Sequence, residues 1–129
     1  MISYGFSKEL KRPFEEVVGL VTEALKKEGF GILTTIDVKE KLKEKINVDF
    51  KKYVILGACS PKHAHQALLV EENIGLMLPC NVIVYEKNSK TVLSVVKPTT
   101  MMSMLDNPKL GAIAEIVEGH LKKVFDTVK

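Results

Sequence analysis

The two cysteines of this chain, Cys59 and Cys80, each lie beside a proline at one end of an apolar run. His63 follows Cys59 closely, and Asn81 follows Cys80. If these two predicted strand ends meet in space, two thiols and an imidazole form one small site. Thiols and imidazoles serve as ligands for soft metals and as nucleophile and base in cysteine chemistry. We therefore take Cys59, His63, Cys80 and Asn81 as candidate ligand-binding residues, and we assign no catalytic residue.

Cys59 directly precedes a predicted helix start. Free N–H groups and the helix dipole at such a position stabilise a thiolate and lower the pKa of the thiol. His63, one turn into the helix, adds a possible positive charge, and Asn81 is placed to orient it. The alternative is that Cys59 and Cys80 are small buried core residues, because free cysteine is among the most buried residue types.

A metal site is a second hypothesis for the same residues. Cys59, His63, His65 and Cys80 form a C-x3-H-x-H-x14-C string. This spacing lacks the close C-x2-C or H-x3-H pairs that are typical of zinc sites. Two helical residues two positions apart also point to different sides, so at most one of the histidines can join the cysteines. The resulting candidate metal site, with zinc as the candidate ion, is Cys59, His63 and Cys80.

Methionines are the other soft side chains in the sequence. Met77, Met101, Met102 and Met104, taken with the two thiols, are compatible with copper(I). Methionine more often fills irregular gaps or lines adaptable surfaces, and we favour that interpretation here. His120 lies beside the apolar stripe of the last predicted helix, where we expect a boundary residue rather than a catalyst.

Composition limits the classes of function. The chain has 129 residues and a formal net charge of +3, from 19 basic and 16 acidic residues that are interspersed. We expect a single domain over residues 1–129, with neither nucleic acid nor a membrane as partner. The N-terminus lacks the apolar core of a signal peptide, so a cytoplasmic location is expected. There the cysteines would stay reduced.

The pattern of apolar residues predicts the order β-α-β-(short α)-β-α-β-β-α. Alternation of Ile2, Tyr4 and Phe6 predicts the first strand, and Lys87-Asn88-Ser89-Lys90 predicts a hairpin turn between the last two. The hairpin favours a mainly antiparallel sheet, which long helices at both ends of the sequence would cover. The predicted class is α+β with two layers. The remaining predicted strands are 30–36, 53–58, 81–86 and 91–96. The predicted helices follow Pro13, Asp37, Ser60 and Asn107. Residues 76–78 are predicted to form a short, extended bridge.

Three stretches give the chain a resemblance to a known family: Glu28 to Thr34, Gly57 to Pro61 and Gly75 to Val82. With them, the whole chain resembles the prokaryotic domain-of-unknown-function family 302. The resemblance implies a fold similar to that of the TATA-binding protein, present as a single copy, and a homodimer. It implies no function, and a fold shared with a DNA-binding protein does not indicate DNA binding.

Three functions remain open from the sequence. The first is a dimeric module that binds a small ligand or a metal around Cys59, His63 and Cys80. The second is a structural or protein-interaction domain whose cysteines belong to the core. The third is a thiol-dependent redox enzyme that uses Cys59. We rank them in this order, and whether the protein is an enzyme stays undecided.

Overall fold

The computed structural model describes residues 2–129 and consists of one antiparallel sheet with helices packed against it. The strands are β1 (Gly5–Leu10), β2 (Gly31–Asp37), β3 (Tyr53–Cys59), β4 (Cys80–Lys87) and β5 (Lys90–Val96). Their order across the sheet is β1-β5-β4-β3-β2, and every neighbouring pair is antiparallel. The predicted α+β class with a mainly antiparallel sheet is confirmed.

Five α-helices and one 3-10 helix connect or cover the strands. They are α1 (Phe14–Lys27), α2 (Val38–Ile46), α3 (Pro61–Val70), the 3-10 helix Glu72–Met77, α4 (Pro98–Met102) and α5 (Pro108–Thr127). The expectation of an extended bridge over residues 76–78 was wrong, because Leu76 and Met77 belong to the 3-10 helix. Within residues 2–129, no helix has the length and apolar character needed to cross a membrane.

The helix ends follow the predicted local chemistry. The Asp37 carboxylate accepts a hydrogen bond from the Glu40 N–H at 3.0 Å, and the Asn107 side chain accepts one from the Leu110 N–H at 3.3 Å. Each residue thereby satisfies an N–H group that the first helical turn leaves free. Gly29 follows α1 with φ = +85°, a left-handed conformation that glycine adopts without strain.

The main core lies between one face of the sheet and the helices α1 and α5. Alternate strand residues point into it, while their neighbours in sequence point to the opposite face. The apolar stripe predicted along the last helix is buried here, as expected. The most deeply buried members are Val17, Val21, Leu25, Ala58, Val82, Val84, Leu93, Leu121 and Val124.

The first strand begins later than its alternating pattern predicts. Ile2 and Tyr4 precede β1, which starts at Gly5 and continues to Leu10 through the charged pair Lys8 and Glu9. Its length follows from pairing along the whole of β5, from Gly5 opposite Val96 to Leu10 opposite Thr91. Ladder hydrogen bonds to a neighbouring strand therefore override the local sequence pattern.

A β-bulge interrupts β2, the edge strand next to β3. Ile32 is opposite Ala58 and Thr34 is opposite Gly57, so that Leu33 is the extra residue. The sequence pattern places Ile32 and Thr34 on one face. Because the bulge reverses the alternation after Ile32, Thr34 instead lies on the opposite face.

Candidate functional site

The strand ends that carry the two cysteines are neighbours in the sheet. Cys80, the first residue of β4, is opposite Ala58, and Cys59 is the next residue of β3. Both thiols are free, and neither residue is fully exposed. The structure thus brings together the two motifs that the sequence placed 21 positions apart.

Gly57 allows the two motifs to approach closely. A Cβ atom at this position would overlap Thr34 Oγ1 on β2 and would lie only 2.7 Å from Pro79 Cγ. Carbon atoms in ordinary contact are about 3.5–4.0 Å apart, so no larger residue fits without displacing one neighbour. Because Gly57 has no side chain, the Pro79–Cys80 segment can pack closely against the sheet at this point.

A narrow cavity lies where these strand ends meet α3, α4 and α5. Its volume of about 30 Å³ is room for about one water molecule. Its small volume makes it a slot rather than a wide pocket, and its lining is almost entirely apolar. The residues that border it are Phe30, Ala58, Cys59, Ser60, His63, Ala64, Ala67, Leu78, Pro79, Cys80, Pro98, Met102, Ile113, Ala114 and Val117.

The apolar surroundings keep both thiols protonated near neutral pH. Burial raises the pKa of Cys59, and burial together with the nearby Cys59 raises the pKa of Cys80 to about 11. For Cys59 this direction is opposite to the one expected from its place before a helix. Desolvation, which disfavours the charged thiolate, outweighs the helix dipole here.

Ser60 departs from its expected role as the cap of α3. It occupies the N-cap position, but its side chain caps no N–H group of the helix. Its hydroxyl instead lies 2.8 Å from Nδ1 of His63, within hydrogen-bonding distance. Of the two histidines on this helix, His63 borders the cavity, while His65 is exposed to solvent.

His63 lies beside a second histidine, His120, which pairs with Glu28. The sequence pattern did not place either His120 or Glu28 in the site. The ring centroids of His63 and His120 are 6.0 Å apart, and Nδ1 of His120 lies 2.9 Å from a carboxylate oxygen of Glu28. Burial, then His120 and Lys62, lower the pKa of His63. Ser60 and His63 thus border the cavity, while His120 and Glu28 lie next to His63 outside the cavity lining.

The sequence contained signals at Glu28 and at His120, but nothing in it indicated that these two residues meet. Glu28 lies in one of the stretches that carry the family resemblance, and His120 lies at the border of an apolar helical stripe. Neither position indicates contact with the other, because 92 positions separate them. Only the packing of α5 beside the end of α1 brings them together.

Two of the methionines, Met77 and Met101, border an adjacent groove and not the cavity, while Met102 borders both. This groove, of about 230 Å³, is lined by Met77, Met101 and Asn81, among others. It shares five bordering residues with the cavity: Leu78, Pro79, Cys80, Pro98 and Met102. Asn81 therefore lies near the thiol site without bordering the cavity, and Met104 borders neither.

The geometry lends no support to the metal hypothesis. Across residues 2–129 there is no group of three or more His, Cys, Asp or Glu side chains arranged to hold a metal ion. Cys59, His63 and Cys80 border one cavity, and Nδ1 of His63 lies 2.8 Å from the Ser60 hydroxyl.

Comparisons with known proteins agree with the fold. The family model described as "Domain of unknown function DUF302" matches residues 6–128. A crystal structure of an uncharacterized conserved DUF302 protein from Bacillus stearothermophilus is similar to this chain, with 33% sequence identity and a TM-score of 0.92. The match covers 99% of this chain and 100% of that one. A comparison with curated proteins gave no match.

Proposed function

The chain belongs to the DUF302 family, and from the geometry of its fold we propose that it binds a small, uncharged and mainly apolar molecule at the cavity. One observation carries the proposal. Five separate parts of the chain converge on an almost wholly apolar slot whose edge holds an imidazole–hydroxyl pair, His63 and Ser60. Apolar clefts with a few placed polar groups are the usual form of small-molecule sites.

The size of the cavity restricts the ligand. About 30 Å³ admits only a group of about methyl size, such as the end of an alkyl chain, and alanines at positions 58, 64, 67 and 114 are among the residues that border it. The methionine-lined groove beside it, of about 230 Å³, offers space for a larger part of the same molecule. Methionine side chains adapt readily to a ligand's shape, which supports placing the larger part of the ligand in this groove.

Charge further restricts the ligand. With both thiols protonated and the pKa of His63 lowered, the cavity edge carries no fixed charge from these three groups near neutral pH. A charged ligand would lose its hydration without gaining an opposite charge. A hydroxyl or carbonyl, by contrast, can hydrogen-bond to the His63–Ser60 pair.

The test uses straight-chain primary alcohols of four to eight carbons as probes, titrated into ¹⁵N-labelled protein and followed by NMR. We expect saturable shifts confined to residues around the cavity and the adjacent groove, and affinity that rises with chain length while the longer part of the chain fills the groove. Ala64→Leu places a larger side chain at the edge of the slot and should abolish these shifts. Ala112→Leu, an equal change at an exposed position of α5, should leave them unchanged.

Two results would reject the proposal. Shifts that are absent for every alcohol, or that are unaffected by Ala64→Leu, would show that the slot takes no ligand. The alternative function would then be favoured, in which Cys59 and Cys80 only fill space in a structural or protein-interaction domain. A melting temperature measured for each variant separates loss of binding from loss of folding.

We also propose that the protein works as a homodimer, as the family resemblance implies. The sheet face turned away from α1 and α5 supports this, because it presents Ile55 opposite Ile83 and Tyr53 stacked on Tyr85 with centroids 5.1 Å apart. Sedimentation equilibrium should give a dimer that Ile83→Glu converts to a monomer. Ile116→Glu, at an exposed position on α5, is the matched control and should stay dimeric.

A further inference from the structure

A wide basic groove lies at the opposite end of the sheet from the cysteines. It has a volume of about 730 Å³ and is formed by the link between β1 and α1, the start of β3 and the β4–β5 hairpin. Its cationic residues are Lys11, Arg12, Lys51, Lys87 and Lys90, and Glu86 is the only carboxylate that borders it among residues 2–129.

Not all of these cations are compensated by nearby acids. Arg12 pairs with Glu16, and Lys90 lies 3.4 Å from a carboxylate oxygen of Glu9. Over the described part of the chain, Lys11, Lys51 and Lys87 have no ion-pair partner within 4.0 Å. Lys51 instead lies over the ring of Tyr85, with Nζ 4.7 Å from its centroid.

The hairpin adds a second observation. Lys87 and Lys90 are directly opposite each other in the last register of β4 and β5. Like charges at such positions repel and destabilise the pair of strands. The two residues between them, Asn88 and Ser89, both have positive φ, 49° and 67°, in a turn where glycine would be unstrained. An anion held between the lysines would remove the repulsion.

We propose that this groove binds a small anion that carries several phosphate groups. Three uncompensated lysines from three separate elements converge on an open space that is much larger than one phosphate. Lysine binds phosphate as a point charge, and several such charges favour a chain of phosphates over a single carboxylate. Two sources share this chemistry, a free polyphosphate and the phosphate chain of a nucleotide.

The full-length protein is titrated with inorganic tripolyphosphate and with ATP, without added metal, by calorimetry and ¹⁵N NMR. We expect saturable 1:1 binding with shifts limited to the residues that border the groove. The affinity should fall as salt is raised from 50 to 200 mM, because opposite charges are screened. Tighter binding of ATP than of tripolyphosphate would identify a nucleotide as the source, and equal binding would identify free polyphosphate.

A matched pair of triple variants tests the position of the site. Lys11→Gln, Lys51→Gln and Lys87→Gln together should weaken binding at least tenfold. Lys27→Gln, Lys109→Gln and Lys123→Gln remove the same charge from exposed positions elsewhere and should change the affinity less than twofold. Both sets lower the formal net charge from +3 to zero, so a difference between them reports location.

Three outcomes would overturn the proposal: no saturable binding of either anion, equal loss in both triple variants, or tighter binding of a 20-bp DNA duplex than of either probe at equal salt. The last would indicate a surface for a macromolecule. Far-UV circular dichroism and melting temperatures confirm that each variant is folded before its affinity is compared.

Discussion

The two ends of the sheet present opposite kinds of surface. At the end where β3 finishes and β4 begins, a slot of about 30 Å³ is apolar and holds two protonated thiols. At the other end, a groove of about 730 Å³ is open and basic. Strand β4 contributes to both, with Cys80 at one end and Lys87 at the other.

The difference follows from the connections between elements. At the cysteine end, α3 and the 3-10 helix link β3 to β4, α4 follows β5, and apolar residues of these helices pack together there. At the basic end, only the two residues Asn88 and Ser89 join β4 to β5. Burial therefore dominates the chemistry of one end, and exposed charge dominates the other. Both kinds of surface occur on one sheet because the connections between elements join the ends of the strands, not their centres.

The largest expected effect concerns the thiols. A pKa of about 11 for Cys80, against an ordinary 9.0, lowers its thiolate population about 100-fold near neutral pH. Cys80 should react with iodoacetamide far more slowly than Cys59, which is less deeply buried. Mass spectrometry of each modified cysteine over time measures the two rates. Equal rates would mean that the slot is open to water and not the desolvated site described here.

The same pKa predicts a dependence of stability on pH. Between about pH 9 and pH 11, the Cys80 thiol ionises in the unfolded chain while it stays protonated in the folded one. The folded state then binds more protons, so the free energy of unfolding falls as pH rises through this range. Cys80→Ser should reduce the slope of urea-derived stability against pH, whereas an unchanged slope would show that other groups cause it.

Gly57→Ala tests how tightly the cysteine end is packed. The added methyl group meets Thr34 and Pro79, and overpacking of this kind typically costs about 1–3 kcal/mol. Urea unfolding measures the change. Gly19→Ala is the control, because a Cβ at this exposed position in α1 meets nothing within 4 Å and should stabilise the helix by about 0.5–1 kcal/mol. Similar effects of both changes would contradict the close approach at Gly57.

Thr91→Val is the corresponding test at the basic end. The buried Thr91 hydroxyl donates a 2.6 Å hydrogen bond to the carbonyl of Arg12 and so ties β5 to the link before α1. Its loss should cost about 1 kcal/mol in urea unfolding. Thr127→Val breaks an exposed hydrogen bond within α5 and should cost less than about 0.5 kcal/mol. Shifts in the NMR spectrum should stay near the groove and leave the cavity unaffected.

The smallest expected effect is a change in the titration of His63. Its pKa is lowered by burial first and then by His120 and Lys62, so it should titrate below 6.5 in an NMR titration. His120→Gln removes a neighbouring charge and should raise the pKa of His63, and Lys62→Gln should raise it less. Because unfolded His63 takes up its proton at higher pH than folded His63, this residue lowers stability as pH falls below 6.5. A pKa of 6.5 or above would contradict the packing of the two rings.

The sequence predicted the class of fold because its signals are local. The apolar, β-branched run of β3, the hairpin at Asn88-Ser89 and the cap at Asp37 each depend on neighbouring residues, and all three occur in the structure. The meeting of Cys59 and Cys80 was predicted as a possibility. The raised thiol pKa values were not, because they depend on burial that residues far along the chain provide.

The polar side chains around His63 likewise depend on contacts that the local sequence pattern does not predict. Ser60 carries the sequence signal of a helix cap, yet its hydroxyl is used by the imidazole. Glu28 and His120 meet only through tertiary packing. The basic groove also escaped prediction, because its lysines are scattered from Lys11 to Lys90 and look like solvated surface charges until the strands bring their ends together.

The bulge at Leu33 has a consequence for the behaviour of the protein at high concentration. Strand β2 is one of the two outer strands of the sheet, and an outer strand offers free backbone groups to which a strand of another molecule can add. The extra residue twists β2 and breaks the regular spacing that such addition needs. Deleting Leu33 would straighten this edge while leaving Thr34 opposite Gly57. We therefore expect the deletion to raise the tendency of the protein to aggregate through this edge.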